Sequence, residues 1–333
     1  MTGRNRKSMP PDFEPPVPAW AAKWPSNTTR LTSAFFGAQG EPSSAWQEWI
    51  TSSLFQGDHA PELAETAQFV DAKGVSNTVG IAYWKNEGYK HWWENVQDWW
   101  QSKDRLNEGC GYWREVFHVP QENIETLHST PNSHGIANLA GELEGPVEEH
   151  AYPGAARDRI PLSGNDEMRG PDAISRKLTA TRGEDRVLVK PNKFMCIIRS
   201  GQDWGRCETE ERDFYLNEVE PSLRAGMDYL RDNPIESRCL NMRLMQSTDG
   251  DGAQLDQTFG LGYALDIYAF EEWAKSHPTH LKIFDQFMGH AERFGENMAL
   301  RLWHEVSVIT GDDAEFEYIA CHDQTGLLPY ART

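Results

Sequence analysis

Hydrophobic and polar positions run together, alternate or recur at helical spacing along this chain, and each change of period marks an element. Leu31 to Gln39 reads as a strand. Ser43 to Phe55 reads as a helix with Ser43 or Ser44 as its cap. Ala67 to Val70 and Thr78 to Trp84 read as two strands about a glycine-containing turn. His91 to Arg105 follows as a tryptophan-rich helix, and Gly111 to Val119 as a strand. The pattern then starts again. Lys193 to Ser200 predicts a strand, and Glu208 to Leu230 a helix that is acidic at its start. Arg238 to Gln246 and Gln257 to Tyr263 predict strands joined by Ser247-Thr248-Asp249-Gly250-Asp251-Gly252, a hairpin turn by composition. Ala269 to about Glu296 predicts a helix broken or restarted at Pro278, and Leu300 to Ile309 a last strand.

Both halves therefore read β-α-β-β-α-β, the order of a ferredoxin-like unit. They also match in sequence. Trp113-Arg114-Glu115-Val116 stands where Trp303-His304-Glu305-Val306 stands, and Ile124-Glu125-Thr126-Leu127 where Phe316-Glu317-Tyr318-Ile319 stands. The expected fold is α+β, with two ferredoxin-like halves whose antiparallel sheets lie face to face and enclose a pocket. The expected organisation is a proline-rich arm at 1–30, a first half at 31–130, a connection at 131–192 and a second half at 193–325. Pro10, Pro11, Pro15, Pro16, Pro18 and Pro25 exclude helix and central strand from the arm, leaving Trp20 and Trp24 to drape it over the body. Long connections in compact domains are often functional. This one carries Glu148-Glu149-His150 and Arg157-Asp158-Arg159, which serve either a site or a surface network of ion pairs.

Composition narrows the partners. The net charge of −19, from 32 basic and 51 acidic residues, argues against a nucleic-acid groove or an anionic membrane surface and favours a small neutral substrate. No apolar run approaches the roughly 18 residues of a membrane-spanning helix, and the basic N-terminus lacks the apolar core of a signal peptide. Cys110, Cys196, Cys207, Cys239 and Cys321 are odd in number and widely spaced, and read as free thiols in a reducing cytoplasm. Thirteen tryptophans suggest a large apolar interior or a pocket for something flat. The Asp-Gly-Asp-Gly turn lacks the later ligands and the closing glutamate of a calcium loop.

His280 falls on the apolar face of its helix, with Ile283, Phe284, Phe287 and Ala291 following at helical spacing. An imidazole there needs a partner. It is either a core histidine bonded to a carbonyl, or the axial ligand of a haem, which takes a neutral imidazole from a rigid element inside an apolar cavity. His304 lies in an alternating strand and shares a face with Leu302 and Val306. Where the first half has Arg114 and a tryptophan-packed helix, the second has His304 and His280, which marks the second half as the one adapted to a cofactor.

Several separated motifs carry a resemblance. They are Ala82-Tyr83-Trp84-Lys85, Gly111-Tyr112-Trp113-Arg114-Glu115, Glu148-Glu149-His150, Arg157-Asp158-Arg159, Ile198-Arg199-Ser200-Gly201-Gln202-Asp203-Trp204, Ser276-His277-Pro278-Thr279-His280-Leu281 and His304-Glu305-Val306-Ser307-Val308. In this order, and over almost the whole chain, the sequence resembles the haem-containing aldoxime dehydratases. The resemblance implies a homodimeric lyase on a dimeric-α+β-barrel-type haem domain. It implies that ferrous haem b serves the dehydration of a small neutral aldoxime, R-CH=N-OH, to a nitrile and water. By the same resemblance His280 ligates the iron and His277 does not. His304 corresponds to the distal histidine, Ser200 to the distal serine, Arg159 to the distal arginine, and Glu125 to a further acidic residue near the distal side. Hydroxide is a poor leaving group, so the oxygen needs a proton. Ser200 and Arg159 would orient the hydroxyl, and His304 would deliver that proton and accept the carbon-bound one. Extra residues around His290 to Asn297 depart from the family's spacing and lengthen the helix or its loop. An oxidative, peroxidase-like haem enzyme and a haem carrier without chemistry are the competing readings on the same scaffold. The first works from ferric iron. The second has no use for a convergence of Ser200, Arg159 and His304.

Overall fold

The computed structural model describes residues 8–57, 59–174, 178–183 and 185–332. Its first half runs β1 (Arg30–Gln39), α1 (Ser44–Leu54), β2 (Leu63–Val70), β3 (Ser76–Lys85), α2 (Gly88–Gln101) and β4 (Gly111–Pro120), followed by β5 (Ile124–His128). A short helix, α3 (Ala155–Arg159), and the hairpin β6 (Leu178–Gly183) and β7 (Arg186–Val189) make up most of the regular structure in the connection. The second half runs β8 (Cys196–Asp203), α4 (Thr209–Phe214), a π turn at Tyr215–Val219, α5 (Glu220–Asp232), β9 (Cys239–Thr248), β10 (Gln254–Ala264), α6 (Ile267–Ser276), α7 (Pro278–Phe294) and β11 (Arg301–Val308). β12 (Ala314–Ile319) follows it. Local chemistry sets the ends. The Ser43 hydroxyl accepts from the Trp46 amide at 3.1 Å and starts α1. His277 and Pro278 separate α6 from α7, since proline suits the first helical position and His277 caps the Thr279 amide at 3.3 Å.

The architecture is mixed helix and antiparallel sheet. Strands β7, β12, β4, β1, β3, β2, β9, β10, β8, β11 and β5 neighbour one another in that order. The halves join edge to edge where β2 pairs with β9, Thr66 opposite Thr248. Each half then borrows a strand. β5 leaves the first half and pairs with β11 of the second, while β12 leaves the second half and pairs with β4 of the first.

The inner faces of the two halves pack on each other. Phe117 and Tyr263 meet with ring centroids 5.7 Å apart, and Arg243 pairs with Glu115 across the interface. Core side chains fill this space among the described residues, where a pocket between the two sheets was expected. The cavity lies on the outer face of the second half's sheet, under α5, α6 and α7. Strand parity explains the difference: β8 turns Ile197 and Arg199 inward and sends Cys196, Ile198 and Ser200 outward. Most of the tryptophans are core, though Trp273 and Trp303 line the cavities. Trp46 and Trp49 of α1 and Trp92 and Trp100 of α2 pack on Phe36 and Tyr112 in the first half. No described helix is long and apolar enough to cross a membrane.

Candidate active site

His280 stands in the first turn of α7. Its ring meets Trp273 of α6 edge-on, with centroids 4.7 Å apart. The Trp273 indole donates to the Thr279 hydroxyl at 3.0 Å, so the two helices fix the ring together. Burial lowers the pKa of His280, against an opposing pull from the Ala274 carbonyl, and Nδ1 has no well-formed hydrogen bond. The imidazole is therefore held neutral, the form that ligates metals. His277 is spent elsewhere: besides capping α7, it stacks on Tyr229 with centroids 3.8 Å apart.

Across the cavity, β8 and β11 set Ser200 and His304 directly opposite each other as cross-strand partners. Arg159, at the end of α3, reaches the same place. Its Nε donates to Glu125 at 2.7 Å, its Nη2 lies 3.0 Å from His304 Nε2, and its Nη1 donates to the Glu149 carbonyl. His304 Nε2 also lies 2.9 Å from Glu125 Oε1. Glu125 is there because β5 is the borrowed strand beside β11. Burial alone would raise the Glu125 pKa. The charges and hydrogen bonds of Arg159 and His304 overcome this and hold it at about 2. Arg159, Asp158 and His150 are all buried, and Arg159 and His150 line the cavities, so this part of the connection is a wall of the site.

Two adjoining cavities, of about 280 and 290 Å³, meet here and share His280, Ser200, His304 and Leu127. Ile198, Leu223, Met227, Ile283 and Val306 belong to the apolar wall. Gly260 and Gly262 keep β10 bare on this face. A Cβ at Gly262 would lie 2.5 Å from the Met242 methyl, and one at Gly260 2.9 Å from the Met227 sulfur. A greasy slot with one neutral imidazole on one side and a polar cluster on the other suits a flat, apolar, iron-bearing group.

A family model described as haem-containing dehydratase matches residues 32–327. The chain belongs to that family. This haem-containing dehydratase is 36% identical over 332 residues to an aliphatic aldoxime dehydratase of Pseudomonas chlororaphis, covering 97% of this chain and 93% of that protein. It is 32% identical over 333 residues to a phenylacetaldoxime dehydratase of Bacillus sp. strain OxB-1, covering 97% and 94%. A crystal structure of an aldoxime dehydratase superposes with a TM-score of 0.89 at 35% identity, covering 98% of this chain and 94% of the other. Another, of an aldoxime dehydratase in complex with butyraldoxime, gives 0.89 at 32% identity, covering 96% and 90%.

The structure of this haem-containing dehydratase brings all five residues singled out in the sequence, His280, His304, Ser200, Arg159 and Glu125, to one place. Sequence reasoning missed two parts of the wall. Pro16 to Ala19 of the arm line the second cavity, and nothing in a proline-rich stretch announces that. Gly260 and Gly262 did leave a signal, since alternate glycines inside a strand mark a close approach. The extra residues near His290 extend α7 and are pinned: His290 Nε2 lies 3.0 Å from Glu211, which also takes the Ala299 and Leu300 amides.

Proposed function

We propose that this chain dehydrates small neutral aldoximes to nitriles, with a haem held by His280 and the proton handled by His304. One observation carries the reading. His304, Glu125 and Arg159 lie within 3.0 Å of one another, beside Ser200 and across an apolar cavity from His280. The relatives named for aliphatic aldoximes and phenylacetaldoxime, and the related structure that holds butyraldoxime, support the substrate class.

When bound, ferrous haem b supplies an electron-rich iron that draws the oxime nitrogen and helps weaken the N–O bond. Ile198, Leu223, Met227 and Val306 would surround its ring, and the chain's own residues do the rest. The Ser200 hydroxyl makes no hydrogen bond to another described side chain, so it is free to meet the oxime hydroxyl. Arg159 is largely committed to Glu125, Glu149 and His304, so it acts on the substrate mainly by holding them. Glu125 stays ionised beside His304 Nε2, so the other ring nitrogen, Nδ1, is the one left for the substrate. Nδ1 gives its proton to the departing oxygen, which leaves as water. The emptied Nδ1 then takes the carbon-bound proton as the triple bond closes, and His304 is restored.

The finer architecture is proposed on the same footing. The strand order supports two ferredoxin-like halves of dimeric-α+β-barrel type, with boundaries at 1–30, 31–130, 131–192 and 193–325. The resemblance supports a homodimer, which light scattering tests. Five free thiols support a reducing compartment such as the cytoplasm.

The test of function is an anaerobic assay of dithionite-reduced protein with butyraldoxime and phenylacetaldoxime. Nitrile is the expected product. Turnover of peroxide by the ferric protein without nitrile formation would favour the oxidative reading and overturn this one.

A further inference from the structure

Behind Ser200 and His304, on the opposite face of the sheet, lies a buried polar group that the proposed chemistry leaves unused. Arg199 and Glu305 are cross-strand partners in the row next to Ser200 and His304. They do not pair directly. The Arg199 guanidinium donates to the Tyr83 hydroxyl at 2.6 Å, and Tyr83 in turn donates to Glu305 Oε1 at 2.7 Å. Arg199 also donates to Glu65 at 2.7 Å, and the Ile136 amide donates to Glu305 Oε2 at 2.7 Å. Tyr83 belongs to β3, so the first half reaches through the interface to grip the two strands that carry the site.

The molecule contains its own comparison. Tyr263 of β10 reaches crosswise to Glu115 of β4 in the same way. There, however, Arg243 holds Glu115 directly with both terminal nitrogens, and Tyr318 adds a further bond at 2.9 Å. That is a closed ion pair across the interface, behind Arg114. Behind Ser200 and His304, by contrast, the arginine and the glutamate do not touch and the tyrosine hydroxyl stands between them. Fixing a side chain on one face of a strand fixes the pleat, and with it the direction of the next side chain on the other face.

We propose that Tyr83, with Arg199 and Glu305, is a positioning group that aims Ser200 and His304 through the backbone of β8 and β11. This rests on the function proposed above for His304. Glu115, Arg243 and Tyr263 hold the fold alone.

Tyr83→Phe and Tyr263→Phe each remove one hydroxyl and keep the ring. The haem-loaded variants are compared by crystallography and by anaerobic kinetics with butyraldoxime. Tyr83→Phe is expected to keep the Soret band and KM, lower kcat roughly 10- to 100-fold as a small misplacement does, and move His304 away from Glu125. Tyr263→Phe is expected to lose as much melting temperature while leaving kcat and His304 unchanged. Equal kcat in the two variants, or an unmoved His304 in Tyr83→Phe, overturns the proposal. Should Tyr83→Phe not fold, Glu65→Gln loosens Arg199 from the more exposed side and must give the same ordering. Absence of nitrile from the unmodified protein would overturn the functional reading instead, and the crystallographic comparison still decides the positioning.

Discussion

At the scale of single residues, the site depends on two histidines of opposite character. His280 is neutral and held by helix packing, so His280→Ala is expected to purify with little haem or with a shifted Soret band. His277→Ala is expected to keep its haem, since that ring caps α7 and stacks on Tyr229. Absorption spectra of the two variants check both. Glu125 gives a pH dependence with a definite sign. Its folded pKa, about 2, lies below its ordinary 4.5. Its contribution to stability is therefore complete above about pH 4.5 and is lost as the pH falls toward 2. Acid unfolding followed by circular dichroism should show a steeper loss in this window for the unmodified protein than for Glu125→Gln. Identical acid limbs would mean that Glu125 is not held as an ion. These residues were legible as types and positions, through motifs and the oddity of an imidazole on an apolar face. Their contacts were not, because Glu125, Arg159 and His304 come from a borrowed strand, a short helix in the connection and a strand of the second half.

At the scale of elements, the period of the sequence predicted the β-α-β-β-α-β order of both halves, including the break at Pro278. It erred at edges and on faces. β2 begins at Leu63, earlier than expected at Ala67, because its first residues are half-buried and mixed in character. The pairing of β5 with β11 and of β12 with β4 follows from packing between distant strands, and no local pattern encodes it. Of the two readings that thirteen tryptophans allowed, the tryptophan helices follow the large apolar interior. They fill the first half, so Trp46→Ala is expected to cost about 3–5 kcal/mol of stability while leaving the haem spectrum unchanged. Thermal melts and a Soret titration separate the two effects. Gly262→Val works the other way. It overpacks the slot against Met242 and is expected to weaken haem retention and to cost about 1–3 kcal/mol. Full haem content in Gly262→Val would show that the slot has slack.

At the scale of the whole molecule, two halves with the same strand order have been put to different uses. The first is packed solid with aromatic rings, and its β4 presents Arg114 to Glu317 of a borrowed strand. The second leaves room under its helices, and its β11 presents His304 to Glu125 of the other borrowed strand. The same exchange of strands thus yields a structural ion pair on one side and, on the function proposed above, a proton-handling pair on the other. That division of labour is the central claim, and nitrile formation by His304→Ala tests it most directly. The variant and the unmodified protein are compared at equal haem content, reduced and anaerobic, with butyraldoxime. The account predicts that His304→Ala keeps its haem spectrum and its affinity for the aldoxime but makes nitrile at least about 100-fold more slowly, the usual scale for losing a general acid. Nitrile formation at the unmodified rate would contradict it.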